Sequence, residues 1–396
     1  MKGYNSQDNN QLFAVIKKAL WNTGEVQADR STYEEMKKHA IAALAGPVLT
    51  ELGLSDELFL EWEKECIMTF IRYERSLHVQ SVIPVSVPYV ILKGTAASKY
   101  YPFPQFRALG DIDIMTRHED FEMAGKMLCA AGYTEHKDML IVDRVRHNEY
   151  INNDTEVELH SYYAYRNDPQ EAKALDDLII DNIDSSHYLP DMVNGLTLIE
   201  HINFHMETGI GLRQIIDWML FVDRCLPDDK WYEFQAIAQH TGHEQLAIIV
   251  TRMCELYLGL HDHQWCAGAD PDLCKQLMDY ILACGNFGRK QETDDKVSIR
   301  FLINAKGLKT TIRYLQSVGL GNWEAARKHR ILRPFSWIYQ GKRYLFKGLG
   351  RKESFEKLIV EYEESRQRDH LFDAIHVARE KKGLVFFRNG EYTKGK

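Results

Sequence analysis

No Cys-x-x-Cys pair occurs in this chain, and its seven cysteines are an odd number, spread over positions 66, 129, 225, 254, 266, 274 and 284. That argues against a disulfide framework and against a cysteine zinc site. The cysteines read instead as reduced, partly buried small apolar residues. No apolar run approaches the roughly 20 residues that a membrane-spanning helix needs. The first residues, MKGYNSQDNNQLF, lack the apolar core and small-residue cleavage site of a signal peptide. A cytoplasmic protein is the expectation. There is no internal repeat and no low-complexity segment.

What is present is ordinary for a globular protein: 45% hydrophobic and 27% charged residues in a chain of 396, enough for a sizeable core and more than one domain. The charge is uneven. Residues 291–396 hold 23 Lys and Arg against 13 Asp and Glu, which leaves 26 basic and 44 acidic residues for the rest.

Periodicity divides the chain into four regions. Residues 1–80 read as helical, as in LFLEWEKECIMTFIRYERSLHVQ, with apolar positions at helical spacing. Residues 81–190 read as an α/β core. PYVILKG is a buried strand, TAASKYY one or two helical turns, and GDIDIMT a second strand. Thr116 with Glu119 reads as a capping box for a helix that stops at Gly132. VRHNEYINNDTEVELHSYY reads as two strands joined at Asn152-Asn153-Asp154. Residues 191–290 read as a helical domain, broken near Gly209 and Gly211. Residues 291–396 read as a basic, mostly helical region. The expected fold class is α+β, with a small mixed sheet flanked by helical regions.

Asp111 and Asp113 lie two apart on a strand, so they share one face while Ile112 and Ile114 share the other. Two carboxylates that close repel each other and lose solvation when buried. Mg²⁺ resolves both problems, since it prefers carboxylate oxygens together with substrate phosphates; Mn²⁺ is the alternative. Glu158, on the alternating strand VELH, is a third ligand if that strand pairs beside GDIDI. Three carboxylates on adjacent strands suit a two-metal site. A solvated edge-strand face accounts for the Asp pair alone equally well, and such pairs also serve glycosyltransferases that hold nucleotide-sugars through a metal. Before the pair comes LKGTAAS. Gly94 lets backbone approach a ligand closely, and the N–H groups of Thr95 and Ala96 open a short helix whose N-terminus favours phosphate. Lys93 and Arg107 flank this site and suit a triphosphate charge.

The order LKG, Tyr-Pro, Arg, GDIDI, Gly-Tyr, VELH resembles the bacterial "uncharacterised nucleotidyltransferase" family of the DNA polymerase β-type superfamily. HINFHMETGIGLRQIIDW is similar to the helical segment of that family. The resemblance covers about residues 70–260. It implies that Gly94 and Thr95 cradle phosphate, and that Asp111, Asp113 and Glu158 bind metal. The chain departs from the superfamily in having Lys-Gly-Thr for Gly-Gly or Gly-Ser. The gap of 17 between Gly94 and Asp111 is also longer than usual. The implied reaction is transfer of a nucleoside monophosphate from a nucleoside triphosphate to a hydroxyl or phosphate of a small-molecule or glycan acceptor. The family's frequent place beside surface-polysaccharide genes implies that context. Two other readings stay open: a non-catalytic nucleotide-binding regulator with the same fold, and a glycosyltransferase.

His160 shares the face of Glu158 and suits phosphate contact or a structural hydrogen bond. His201 and His205 have i, i+4 spacing that can bind zinc, with Glu207 and Asp217 near, or they line the cleft. Arg213 contacts substrate or pairs with Asp217 at i, i+4. Residues 300–352 hold 13 Lys and Arg against Glu324 alone, interleaved with aromatics. This stretch docks on the acidic body of the chain, lies on anionic membrane, or contacts phosphates of nucleic acid. The net charge of −8 argues against specific nucleic-acid binding as a main role.

Overall fold

A five-stranded mixed sheet carries the middle of the chain, and helices flank it on both sides in sequence, so the fold is α+β as expected. The computed structural model describes residues 10–136, 146–153, 155–184, 186–285, 312, 315–316, 319–348, 366–388 and 390–394. The described chain groups into two compact units. One is built on Arg289–Asp373, the other on Tyr4–Gly288 and Ala374–Lys396.

In the larger unit, helices α1 (Asn10–Trp21), α2 (Arg30–Lys38) and α3 (Asp56–Ser81) precede the sheet. Strand β1 (Tyr89–Leu92) leads into the short helix α4 (Gly94–Ser98). Strand β2 (Ile112–Thr116) is followed by helix α5 (Phe121–Ala130), then β3 (Thr134–His136), β4 (His147–Asn152) and β5 (Thr155–His160). The spatial order is β1-β2-β5-β4-β3, with β2 and β5 parallel and the other neighbours antiparallel. Helices α6 (Pro169–Asp181), α7 (Asp191–Thr208), α8 (Leu212–Cys225), α9 (Trp231–His240), α10 (Glu244–Leu258) and α11 (Pro271–Cys284) complete the unit.

Alternation on the strands decides which face of the sheet is apolar. Ile112, Ile114, Val157, Leu159, Tyr150 and Ile91 form one buried cluster with Ala124 and Leu128 of α5. α5 presses close to the sheet at Gly125, where an added Cβ would lie 2.3 Å from the Tyr150 hydroxyl. The opposite face carries the acids. The β4–β5 hairpin turns as expected at Asn153, whose φ of 54° is the left-handed geometry that a two-residue hairpin turn requires.

One local expectation fails. Thr116 caps no helix. It is the last residue of β2, paired with Tyr89, and its hydroxyl has no hydrogen-bond partner. The helix begins later, after a 3₁₀ turn at His118–Asp120. Gly132 does end that helical segment, with φ of 92°.

After residue 373 the chain forms a hairpin of β6 (Val385–Arg388) and β7 (Glu391–Lys394) that belongs to the larger unit. Phe387 stacks on His118 at 3.8 Å, and the Tyr392 hydroxyl donates to buried Asp176 at 2.8 Å. In the smaller unit, a helix at Ser336–Gly348 follows a 3₁₀ segment at Arg330–Phe335, and Tyr339 stacks on Trp323. Much of the basic stretch 300–352 lies outside the described residues. Among the described residues, no helix is long and apolar enough to cross a membrane.

Candidate active site

The site begins where β1 ends. The four residues of β1 are buried, and the chain then turns through Lys93 and Gly94, with φ of 50° and 37°. A lysine in that region is strained by about 1–3 kcal/mol. The turn brings Lys93 Nζ to 2.5 Å from Asp113 Oδ1. A Cβ on Gly94 would meet nothing within 4 Å, so space lies open before its backbone. The Thr95 hydroxyl is engaged. It donates to Gln80 of α3 at 2.7 Å.

Register assembles the rest. Asp113 stands beside Glu158 on the parallel neighbour β5, and Glu158 stands opposite Glu149 on β4. Two residues along, Met115, His160 and His147 form the next row. Asp111 is exposed, just before β2; Asp113 is buried. One carboxylate oxygen from each of Asp111, Asp113 and Glu158 lies within 4.8 Å of the others. His160 Nε2 sits 2.9 Å from Asp113 Oδ1 and 3.4 Å from Glu158 Oε2. His147 Nε2 is 3.6 Å from Glu158 Oε1.

The electrostatics separate the two buried acids. Burial opposes ionisation of Asp113, but the Lys93 ammonium and His160 outweigh it and hold the carboxyl well below its usual range. Burial and the Asp113 charge push Glu158 up, with Lys93 opposing. Burial pushes His160 down to about 4 and His147 down to about 3. Lys93 is thus the ammonium that stands against the acids of this face. An all-carboxylate donor set of this size fits a hard divalent cation such as Mg²⁺ or Mn²⁺. A second trio, His147, Glu158 and His160, shares Glu158 with it.

The two arginines read near the site have partners within the chain. Arg107, read as a flank for triphosphate, is buried with its guanidinium forked on Asp217 at 2.7 and 2.6 Å. The Tyr101 hydroxyl donates to the same carboxylate at 2.7 Å. Asp217 is therefore the partner of Arg107, and no ion pair with Arg213 forms. Arg213 donates to the Ala108 carbonyl at 3.2 Å and lies within electrostatic reach of Asp111. His201 and His205 stack edge-on at 4.6 Å and lie where Lys93 and Asp113 influence both. Neither belongs to any metal-capable trio among the described residues. Glu207 instead accepts from the Tyr165 hydroxyl at 3.0 Å.

The geometry agrees with the comparison of the chain with known families. A model described as "Uncharacterised nucleotidyltransferase" matches residues 30–259, more than half the chain. The chain belongs to the uncharacterised nucleotidyltransferase family. The match runs from α2 to the end of α10, so it takes in the whole sheet and the helices over it. No curated protein matches the chain, and no solved structure does.

The sequence reasoning did not single out His147, Glu149 and Glu156, which the structure groups with Glu158. The signal for two of them was available. A two-residue turn that pairs Asn152 with Thr155 places Glu149 opposite Glu158 and His147 opposite His160.

Proposed function

We propose that the protein is a divalent-metal-dependent nucleotidyltransferase that moves a nucleoside monophosphate from a nucleoside triphosphate to an acceptor hydroxyl or phosphate. The observation that carries this reading is the register Asp113–Glu158, which gathers three carboxylates beside an open glycine turn. Family membership supports the same class of activity.

Asp111, Asp113 and Glu158 would hold Mg²⁺, or Mn²⁺ in its place. A cation so bound neutralises phosphate oxygens and acidifies the acceptor hydroxyl. Lys93, already on Asp113, is placed to turn its ammonium to the triphosphate. The open face of Gly94 admits phosphate close to backbone, with Thr95 contributing its backbone N–H. Arg213 and His160 line the same cleft from α8 and β5. The acceptor oxygen bonds to the α-phosphorus, the bond to the bridging oxygen breaks, and pyrophosphate leaves. The acceptor's proton passes to ionised Glu158. Positioning and charge neutralisation supply most of the acceleration.

A place in surface-polysaccharide or related small-molecule metabolism belongs to the same proposal. So does peripheral contact of residues 300–352 with an anionic membrane face. Ile331 and Phe335 are exposed in a segment that also carries Arg327, Lys328 and Arg333.

The test is a thermal-shift screen with ATP, CTP, GTP, UTP and UDP-sugars, each with and without Mg²⁺. A ligand bound by the native state raises the melting temperature by mass action. One triphosphate should stabilise the wild type only with Mg²⁺, and Asp111→Asn/Asp113→Asn should lose the shift. Stabilisation by a UDP-sugar and by no triphosphate would favour a glycosyltransferase.

A further inference from the structure

Arg107 lies on Asp217 and Arg166 on Glu171. Arg146 differs. Its Nε and Nη1 are buried and have no hydrogen-bond partner, and no carboxylate lies within ion-pair distance of it among the described residues. Two rings hold its guanidinium instead. Its Cζ is 4.6 Å from the ring centre of Phe204 on α7 and 5.2 Å from that of Tyr163. Tyr163 is itself fixed, buried with its hydroxyl on the Thr197 carbonyl at 3.1 Å. Stacking fixes the plane of the fork and leaves its N–H edge for a planar or tetrahedral oxyanion. Arg146 lies near the acid face, since the two rings that hold it stand 5.8 Å (Tyr163) from His160 and 5.0 Å (Phe204) from His205, centre to centre, and its carbonyl accepts from the Ser161 N–H at 3.0 Å.

Its position in the sheet is the deciding point. β1 runs antiparallel to β2, so Gly94 lies level with Asp111. β5 runs parallel to β2, so Ser161 and Arg146 lie at the other end, level with Thr116. The two sites are about five residues apart along the strands and three strands apart across them, on the order of 15 Å each way. Asp113 and Glu158 lie between. In an in-line displacement the attacking and leaving oxygens occupy opposite sides of the phosphorus, with the metal site between them. If pyrophosphate leaves on the Gly94 side, the acceptor enters from the Arg146 side.

We propose that Arg146, held on Phe204 and Tyr163, receives an oxyanion of the acceptor, so that the acceptor is an anionic molecule carrying a phosphate or carboxylate. This rests on the nucleotidyltransferase reading and deepens it.

The test uses the full chain saturated with Mg²⁺ and an α,β-methylene nucleoside triphosphate. Inorganic phosphate, and acetate in parallel, are titrated in by calorimetry. One of the two should bind beside the triphosphate. Arg146→Gln should weaken it by about tenfold or more and leave triphosphate affinity within twofold. Arg146→Lys keeps charge and stem but loses the fork, and should fall between. If Arg146→Gln does not fold, the lysine variant decides. Equal anion affinity in wild type and variants would overturn the proposal. So would displacement of the triphosphate by the anion, or absence of any anion binding to loaded protein. A triphosphate that fails to bind at all would remove the nucleotidyltransferase reading first, and this inference with it.

Discussion

Burial and the neighbouring Asp113 charge favour a proton on Glu158, and a divalent cation would expel it. At neutral pH the fold therefore holds Glu158 away from the ionised form that an unfolded glutamate prefers. Glu158→Gln mimics the protonated form and removes that tension. In EDTA at pH 7 the variant should melt no lower than wild type, with a gain of up to about 1 kcal/mol, and should lose all Mg²⁺-dependent stabilisation. Calorimetric Mg²⁺ titration at two pH values checks the other half. Affinity should rise with pH in the wild type, because the bound cation competes with a proton. A lower melting temperature for Glu158→Gln in EDTA would contradict the account. At this scale the three acids were legible because strand alternation separates Asp113 from Ile112 and Glu158 from Leu159. The partner of Arg107 was not legible. Asp217 lies 110 positions away, and no local pattern distinguishes it from a helix-surface acid.

Asp217 of α8 takes two groups from the segment between α4 and β2, Arg107 and Tyr101. Both members of the ion pair are buried. Removing one partner leaves an uncompensated charge, whereas replacing both with apolar groups does not. Asp217→Asn should cost about 3 kcal/mol or more in urea unfolding. Arg107→Met/Asp217→Leu should cost less than that single change. A double variant worse than the single one would mean that the pair contributes through something other than charge compensation. Elements were read well where periodicity ran uninterrupted, as in β1, β2, β4, β5, α7 and α8. The reading failed at Thr116, where cap chemistry and strand pairing compete for one residue. Pairing with Tyr89 wins because it extends the ladder.

Over the whole molecule, several buried histidines are held neutral. Burial pushes His39 to about 3, where its Nδ1 accepts from the Leu212 N–H, and it pushes His147, His205 and His160 to about 3, 3 and 4. Their unfolded values are near 6.5. Between about pH 4 and 6.5 the unfolded chain binds more protons at these positions, so their contribution rises with pH through that window and is lost as pH falls. Asp176, pushed up to about 6 by burial, and Glu158 act in the opposite sense but are outnumbered. The urea midpoint should be higher at pH 7 than at pH 5; the reverse order would contradict this balance. The charge asymmetry was visible in the sequence, and the smaller unit at 289–373 contains the basic stretch 300–352. The return of residues 374–396 to the larger unit was not visible, because the pairing of Tyr392 with Asp176 has no local signature.

The central claim is that Asp111, Asp113 and Glu158 form one cation site beside a triphosphate. Its most direct test is Mn²⁺ binding followed by electron paramagnetic resonance, with and without an α,β-methylene triphosphate, in wild type and Asp113→Asn. The account predicts stoichiometric Mn²⁺ that binds more tightly with the triphosphate and is lost in Asp113→Asn. Folded wild-type protein that leaves Mn²⁺ free in both conditions, or a variant that binds it unchanged, would contradict it.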